Sequence, residues 1–340
     1  MFLVSVIIPV YNAEYSLKTA IDSVINQSLG FENIELILVD DNSSDKSREI
    51  IKEYSQQFDN IIYYFSKLNH GFPGFGRNMG LKLSSANYVM FLDNDDVYDK
   101  DMCKTLYETI TNENVDLVSC GRLLIDSLGE IKDDYHCSCG KIQDNFLIFE
   151  NDETLSFCSK TVWNKIFKKE IVDKFNLKFL ENTAADDYLF SVEYHSKSKK
   201  IIHLTDYYGY HWNIVDESLS HNIQIEQMDD VLNAYNYLAR KLKEENLLSN
   251  ADVIVNDMVE MLIIKSSFIQ CNLNELNEVL KKICCFEKEI NFNLSLNNKW
   301  LNIINILILK NQFNLAILCL KLVTGIRNIT ILRKINRLFK

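Results

Sequence analysis

Residues 3–10 read LVSVIIPV, residues 34–39 read IELILV, residues 61–65 read IIYYF and residues 88–92 read YVMFL. These are short apolar runs rich in β-branched and aromatic residues, which predicts strands. The stretches between them change period. Leu17, Ile21, Val24 and Ile25 share one helical face within residues 14–28, and Gly30 stands where that helix would stop. Ser43, Ser44 and Asp45 offer N-caps to a helix over residues 46–57, and a third helix is predicted near 76–84. Strands that are apolar at nearly every position, alternating with helices, argue for an α/β fold: a Rossmann-like, mostly parallel sheet with helices on both faces. Such sheets bind ligands beyond the carboxyl ends of their strands. The positions to watch are therefore 11–12, 40–41, 68–77 and 93–96.

Downstream the pattern loosens. A strand is expected over 115–120, loop with short strands over 126–155, helices over 160–175 and 187–196, and strands over 201–205 and 207–212. From about residue 224 onward every segment has helical period: 224–246, 250–270, 273–290, 298–320 and 326–338. The predicted division is 1–222 and an α-helical C-terminal region, 223–340.

The strongest local signal is Phe91-Leu92-Asp93-Asn94-Asp95-Asp96. In an extended chain Asp93 and Asp95 point to the same side. Two hard oxygens facing a crevice suit Mg²⁺ or Mn²⁺, which completes its shell with substrate phosphates. The competing readings are a solvated acidic turn and a Ca²⁺ loop. No G-x-G-x-x-G follows the first strand and no G-x-x-x-x-G-K-[ST] occurs, so neither a dinucleotide fold nor a P-loop is supported. Arg77 supplies a forked cation either for phosphate or for an internal pair with Asp93 or Asp40.

Taken in order, Pro9-Val10-Tyr11-Asn12, Val39-Asp40-Asp41-Asn42-Ser43-Ser44-Asp45, Gly76-Arg77-Asn78-Met79-Gly80 and Asp93-Asn94-Asp95 resemble a family 2 glycosyltransferase of GT-A fold. The resemblance covers about residues 1–220 and is densest before 100. It implies a nucleotide-sugar half over 1–100 and an acceptor half over 101–222. It implies a UDP-sugar donor, an inverting transfer to a glycan or lipid-linked glycan, and Mn²⁺ or Mg²⁺ as cofactor. On the resemblance, Tyr11 packs on the base and Asp41 bonds the uracil. Pro9, Asn12, Glu14, Arg77, Asn78, Asp93 and Asn94 join them around the nucleotide sugar. Asp93 and Asp95 hold the metal, with His211 as a third candidate ligand. Ala185-Asp186-Asp187 matches the family's acidic pair, which makes Asp187 the general base. Asp186 stands where Glu is usual and Gly76 where Ala is usual. Asp186 and Trp163 are assigned to the acceptor side. The alternatives are a nucleotidyltransferase and a non-catalytic glycan- or nucleotide-binding module; the first lacks its Gly-rich loop after the opening strand.

With 36 Lys plus Arg against 47 Asp plus Glu, the net charge is −11, which speaks against general nucleic-acid binding. A composition of 47% hydrophobic and 24% charged residues excludes wholesale disorder. Nine cysteines without a CxxC pair predict reduced thiols. No signal peptide is read at the N-terminus, and no apolar run reaches the ~20 residues of a membrane span, so a cytoplasmic protein is expected. Residues 300–340 carry seven cations and no acid, so the first 299 residues carry −18. Leu301, Ile304, Leu307, Ile308, Leu315, Leu318 and Leu322 run beside those cations at helical spacing. Two readings follow for residues 300–340: a peripheral contact with an anionic membrane face, or a bundle with solvated cations.

Overall fold

The protein was analysed as a computed structural model, which describes the chain apart from residues 136–140, 144, 156–160, 215–224, 246, 268, 270, 292–295, 297 and 328–340. The apolar runs form Val4–Val10 (β1), Ile34–Asp40 (β2), Ile61–Phe65 (β3) and Tyr88–Phe91 (β4). Between them lie helices Leu17–Ile25 (α1), Ser47–Gln57 (α2) and Gly74–Leu83 (α3). Then come Val97–Tyr98 (β5), Met102–Asn112 (α4), Leu117–Ile125 (β6), Ile131–Tyr135 (β7), Lys141–Gln143 (β8) and Phe146–Glu150 (β9). Lys165–Lys168 (β10), Lys169–Phe175 (α5), Asp186–Lys197 (α6) and Lys200–Asn213 (β11) complete the first of two compact units, Met1–Asp216.

One sheet runs in the order β3-β2-β1-β4-β10-β6-β11-β9-β8, with β5 on β11 and β7 on β6. The first four strands are parallel, as alternation with helices requires. Beyond β4 the sheet is mixed. β10 lies antiparallel between β4 and β6, while β6 and β11 are parallel. β10 corrects the helix expected over 160–175: only α5 is helical there. Ile166 and Phe167 are fully buried between two strands whose backbone groups need partners, and a short apolar run does not reveal this by period. The two strands expected over 201–212 are one, β11, with register shifts between His203 and Tyr210.

Alternation along β1 builds two cores. Val4, Val6, Ile8 and Val10 face a cluster with Leu17 and Ile21 of α1, Ile51 of α2 and Leu106 of α4. Ile7 faces the other, with Leu81 of α3, Ile171 of α5 and Phe190 and Tyr194 of α6. The helices thus cover both faces of the sheet. α3 lies close on β1 because residue 80 is glycine: a Cβ there would sit 2.3 Å from Ile7 Cγ2. Gly80→Ala is expected to lower stability by roughly 1–3 kcal/mol through overpacking, read as a reduced urea midpoint at unchanged m-value. An unchanged midpoint would mean the contact is not tight.

The second unit, Glu217–Lys340, is helical among its described residues. Ile225–Glu244 (α7), Leu248–Ser266 (α8), Leu273–Ile290 (α9), Lys299–Leu309 (α10) and Phe313–Arg327 (α11) form it. The single helix expected over 298–320 is broken by Asn311, at φ 56°. The predicted helix over 326–338 falls mostly outside the described residues. No helix among the described residues is long and apolar enough to cross a membrane. α9 opens with a capping box: the Asn272 side chain accepts from the Glu275 N–H, and Glu275 accepts from the Asn272 N–H.

Glu287 of α9 is buried beside Asn305 of α10, and burial pushes its carboxyl up to about 7. The folded pKa exceeds the unfolded one, so this group's stabilisation is complete at acid pH and is lost as pH rises through about 7. Glu287→Gln should therefore raise the Tm at about pH 8, by roughly 2 kcal/mol of stability, and leave it unchanged near pH 4. An equal effect at both pH values would sink this account.

Candidate active site

The carboxyl ends of β2, β1 and β4 lie side by side, and Arg77 joins the end of β4 to the start of α6. Asp40 closes β2 and organises the loop after it. Its carboxylate accepts the Asn42 and Ser43 N–H groups and Arg48 Nε at 2.6 Å. Asp40 is therefore not the partner of Arg77. The loop after β1 is pinned to the loop after β2. Asn12, at φ 45°, accepts the Ser44 N–H at 2.9 Å, and Glu14 accepts the Lys46 N–H at 3.2 Å. These two side chains hold the two loops together, while Tyr11 beside them is 48% exposed.

Asp41 is engaged by a residue that the sequence reading did not single out. His70 donates its backbone N–H to Oδ2 at 2.8 Å and places Nδ1 2.5 Å from Oδ1, while its ring stacks on Phe75 at 3.6 Å. The pairing joins positions 29 apart, and no local spacing announces it.

Arg77 is the hub. Its side chain is 4% exposed, with Nη1 2.6 Å from Asp186 and Nη2 2.9 Å from Asp93. Burial opposes its charge, but the Asp186 and Asp93 carboxylates more than offset this and hold it protonated. One guanidinium thus ties the end of β4 to the start of α6, with Asp186 lying 109 residues beyond Arg77. The internal pair weighed from sequence is present with Asp93, and Asp186 is its second arm. The shorter Asp at 186 meets a close Arg. A Cβ on Gly76 would lie 2.8 Å from Pro9 Cβ, so glycine here lets α3 approach the end of β1. Asn78 donates to the Phe179 carbonyl and accepts the Phe179 N–H, both at 2.9 Å, and so anchors the segment that leads to α6. Asn94 donates to the Pro9 carbonyl at 3.0 Å.

Four acids share this corner. Asp187 is half-buried, and its Oδ1 accepts the Tyr188 N–H at 2.8 Å. Burial and then the Asp186 charge push its carboxyl up to about 7. Asp186 is also raised, by burial, with Arg77 opposing. Asp95 is pushed up to about 6 by burial and by Asp93. Asp96 points elsewhere: buried, it accepts the Tyr210 hydroxyl at 2.5 Å and the Asn213 N–H at 2.9 Å. Trp163 is stacked on Tyr210, ring centres 4.0 Å apart, and Phe167 is core. His211 lies on β11 opposite Val97, with its pKa lowered by burial.

Among the described residues no group of three or more His, Cys, Asp and Glu is arranged to hold a metal, so His211 does not complete a triad with Asp93 and Asp95. The two carboxylates still suit a divalent ion. They are hard oxygens; burial first, and then the Asp93 charge, disfavour the ionised Asp95, and both are what a cation would offset.

The family model described as "Glycosyl transferase family 2" matches residues 5–173. The chain is 35% identical over 214 residues to "Glycosyltransferase GlyA" of Streptococcus pneumoniae serotype 4, covering 59% of this chain but 29% of that protein. It is 32% identical over 210 residues to "Poly(ribitol-phosphate) beta-N-acetylglucosaminyltransferase TarP" of Staphylococcus aureus, covering 61% of this chain and 62% of that protein. The crystal structure of S. aureus TarS 1-349 in complex with UDP-GlcNAc superposes with a TM-score of 0.68 at 18% identity, over 95% of this chain and 92% of that one. At that identity the likeness establishes the fold.

Proposed function

Because the chain belongs to glycosyl transferase family 2, we propose that it moves a sugar, with inversion, from a UDP-sugar to a hydroxyl of a glycan, lipid-linked glycan or polyol-phosphate polymer during cell-surface polymer synthesis. The observation that carries this reading is the Asp187 carboxylate, half-buried at the start of α6 with its pKa raised to about 7. A sugar hydroxyl is a weak nucleophile, and its attack needs a base to take the proton as the new C–O bond forms. A carboxylate near neutrality is a far better base than a free Asp. Arg77 fixes Asp186 and so orients the first turn of α6, while Asp187 keeps an oxygen for the acceptor. Attack from the Asp187 side and departure of UDP from the other invert the anomeric centre. Asp93 and Asp95 are the residues that would hold Mg²⁺ or Mn²⁺, and such an ion supplies positive charge to the departing diphosphate. Tyr11 and Asp41 are the proposed base contacts. For Asp41 this requires His70 to share or yield its carboxylate. The UDP-GlcNAc-bound neighbour supports a UDP-linked donor.

The test is a UDP-release assay with Mn²⁺ and a panel of UDP-sugars. Asp95→Asn is expected to lower turnover about a hundredfold and to raise the Mn²⁺ concentration needed. Unaltered turnover and Mn²⁺ dependence would remove Asp95 from the metal role, and pyrophosphate release from UTP would point to nucleotidyl transfer instead.

The proposed place of work is the inner face of the cytoplasmic membrane. The support is the exposed apolar row Trp300, Ile303, Ile306, Leu315, Leu318 and Leu322 together with the cationic character of residues 300–340. Four of the seven cations lie outside the described residues. The full chain should float with phosphatidylglycerol vesicles and not with neutral ones; equal recovery with both would end the idea.

A further inference from the structure

Arg122 of β6 is a partly buried cation set among aromatic rings. Its register partners are Tyr210 of β11 and Tyr135 of β7. The guanidinium carbon lies 4.6 Å from the centre of the Trp212 ring, 5.4 Å from Tyr135 and 5.9 Å from Trp163. Trp163 in turn stacks on Tyr210, whose hydroxyl bonds Asp96, so Arg122 stands about one ring stack from the acidic end of β4. Among the described residues, no carboxylate ion-pairs with it and no oxygen accepts a hydrogen bond from it. Asp96, the buried acid nearby, is already capped by Tyr210 and Asn213, and Asp133, the other, is exposed. The result is a forked set of N–H donors fixed over aromatic faces. That geometry takes an oxyanion on the guanidinium and the C–H face of a sugar or polyol on the rings. On the transferase reading above, the donor diphosphate is proposed at Asp93 and Asp95.

We propose that Arg122, Trp212 and Tyr135, backed by the buried Trp163, form an acceptor subsite for a phosphodiester-linked polyol or sugar unit. The chain would then recognise a polyanionic acceptor by the charge between its units. The proposal rests on the transferase reading above for what the subsite serves, and its test does not depend on turnover.

The probe is poly(ribitol phosphate), read by tryptophan fluorescence, since Trp212 lines the subsite and Trp163 lies directly behind it. The wild-type protein should give a saturable change that weakens with added salt, with no change for neutral dextran. Arg122→Gln should weaken the apparent affinity about tenfold or more and flatten the salt dependence, while Arg122→Lys should recover part of both. No wild-type response, an equal response from Arg122→Gln, or a response of the same size to inorganic phosphate would overturn the proposal. A UDP-induced rise in Tm, measured on the same proteins, separates the two claims. If UDP binds and the polymer does not, the subsite fails alone. If the polymer binds and UDP does not, the transferase reading fails and the anion site stands.

Discussion

Asp187→Asn should lower kcat about a thousandfold while the protein still binds UDP. The amide keeps the size of the side chain and its contact with the Tyr188 N–H but cannot accept the acceptor's proton. The wild-type rate should fall as pH drops through about 7, because Asp187 must be unprotonated to act. The residual rate of the variant should lack that limb. Stability should move the other way. The folded state raises this pKa above its unfolded value, so the group is most stabilising when protonated at low pH and loses that contribution as pH rises through about 7. At neutral pH the uncharged amide relieves repulsion with Asp186 and Asp93, and the Tm should hold or rise. An enzyme that is slower yet no less stable is the signature of a base placed at a thermodynamic cost. Turnover within tenfold of the wild type would eliminate Asp187 as the base. A loss of activity with a fallen Tm would make it a structural acid.

The second large effect concerns Arg77. Replacing it by Met leaves Asp186 and Asp93 facing each other with no counter-charge, one buried and one partly so. Removing one partner from a buried ionic cluster costs roughly 3–5 kcal/mol. In a unit of this size the Tm should fall by about 10 °C. Adding Asp186→Asn to Arg77→Met should restore part of the loss, because the remaining carboxylate no longer has a charged neighbour. This double-mutant cycle distinguishes broken electrostatics from lost packing against the Phe179 ring. If the single variant melts with the wild type, the triad is not what holds α6 to β4.

The legible part of this chain was its local periodicity. β1 to β4 and α1 to α3 could be read because each buried strand is apolar at almost every position and each helix keeps a regular stripe. The acidic run at 93–96 could be read because three carboxylates after a buried strand have no structural economy in a core. What could not be read were elements defined by their neighbours. β10 looks helical in sequence and is a strand because the edges of β4 and β6 need a partner. Asp96 stands in the same acidic run as Asp93 and Asp95, yet it is bonded to Tyr210 and Asn213. Asn12 and Glu14 sit at the cleft, yet their side chains serve the neighbouring loop.

By itself the sequence determined the strand–helix alternation, the acid-rich strand end and the excess of positive charge in residues 300–340, because all of these are properties of neighbours along the chain. Only the tertiary structure decided that Arg77 would lie between Asp93 and Asp186, that His70 would hold Asp41, and that Arg122 would rest over the Trp212 ring. Each of those depends on residues far apart in sequence being brought within a few ångströms. Charge, burial and pKa are functions of that distance, and no reading of spacing along a polymer contains it.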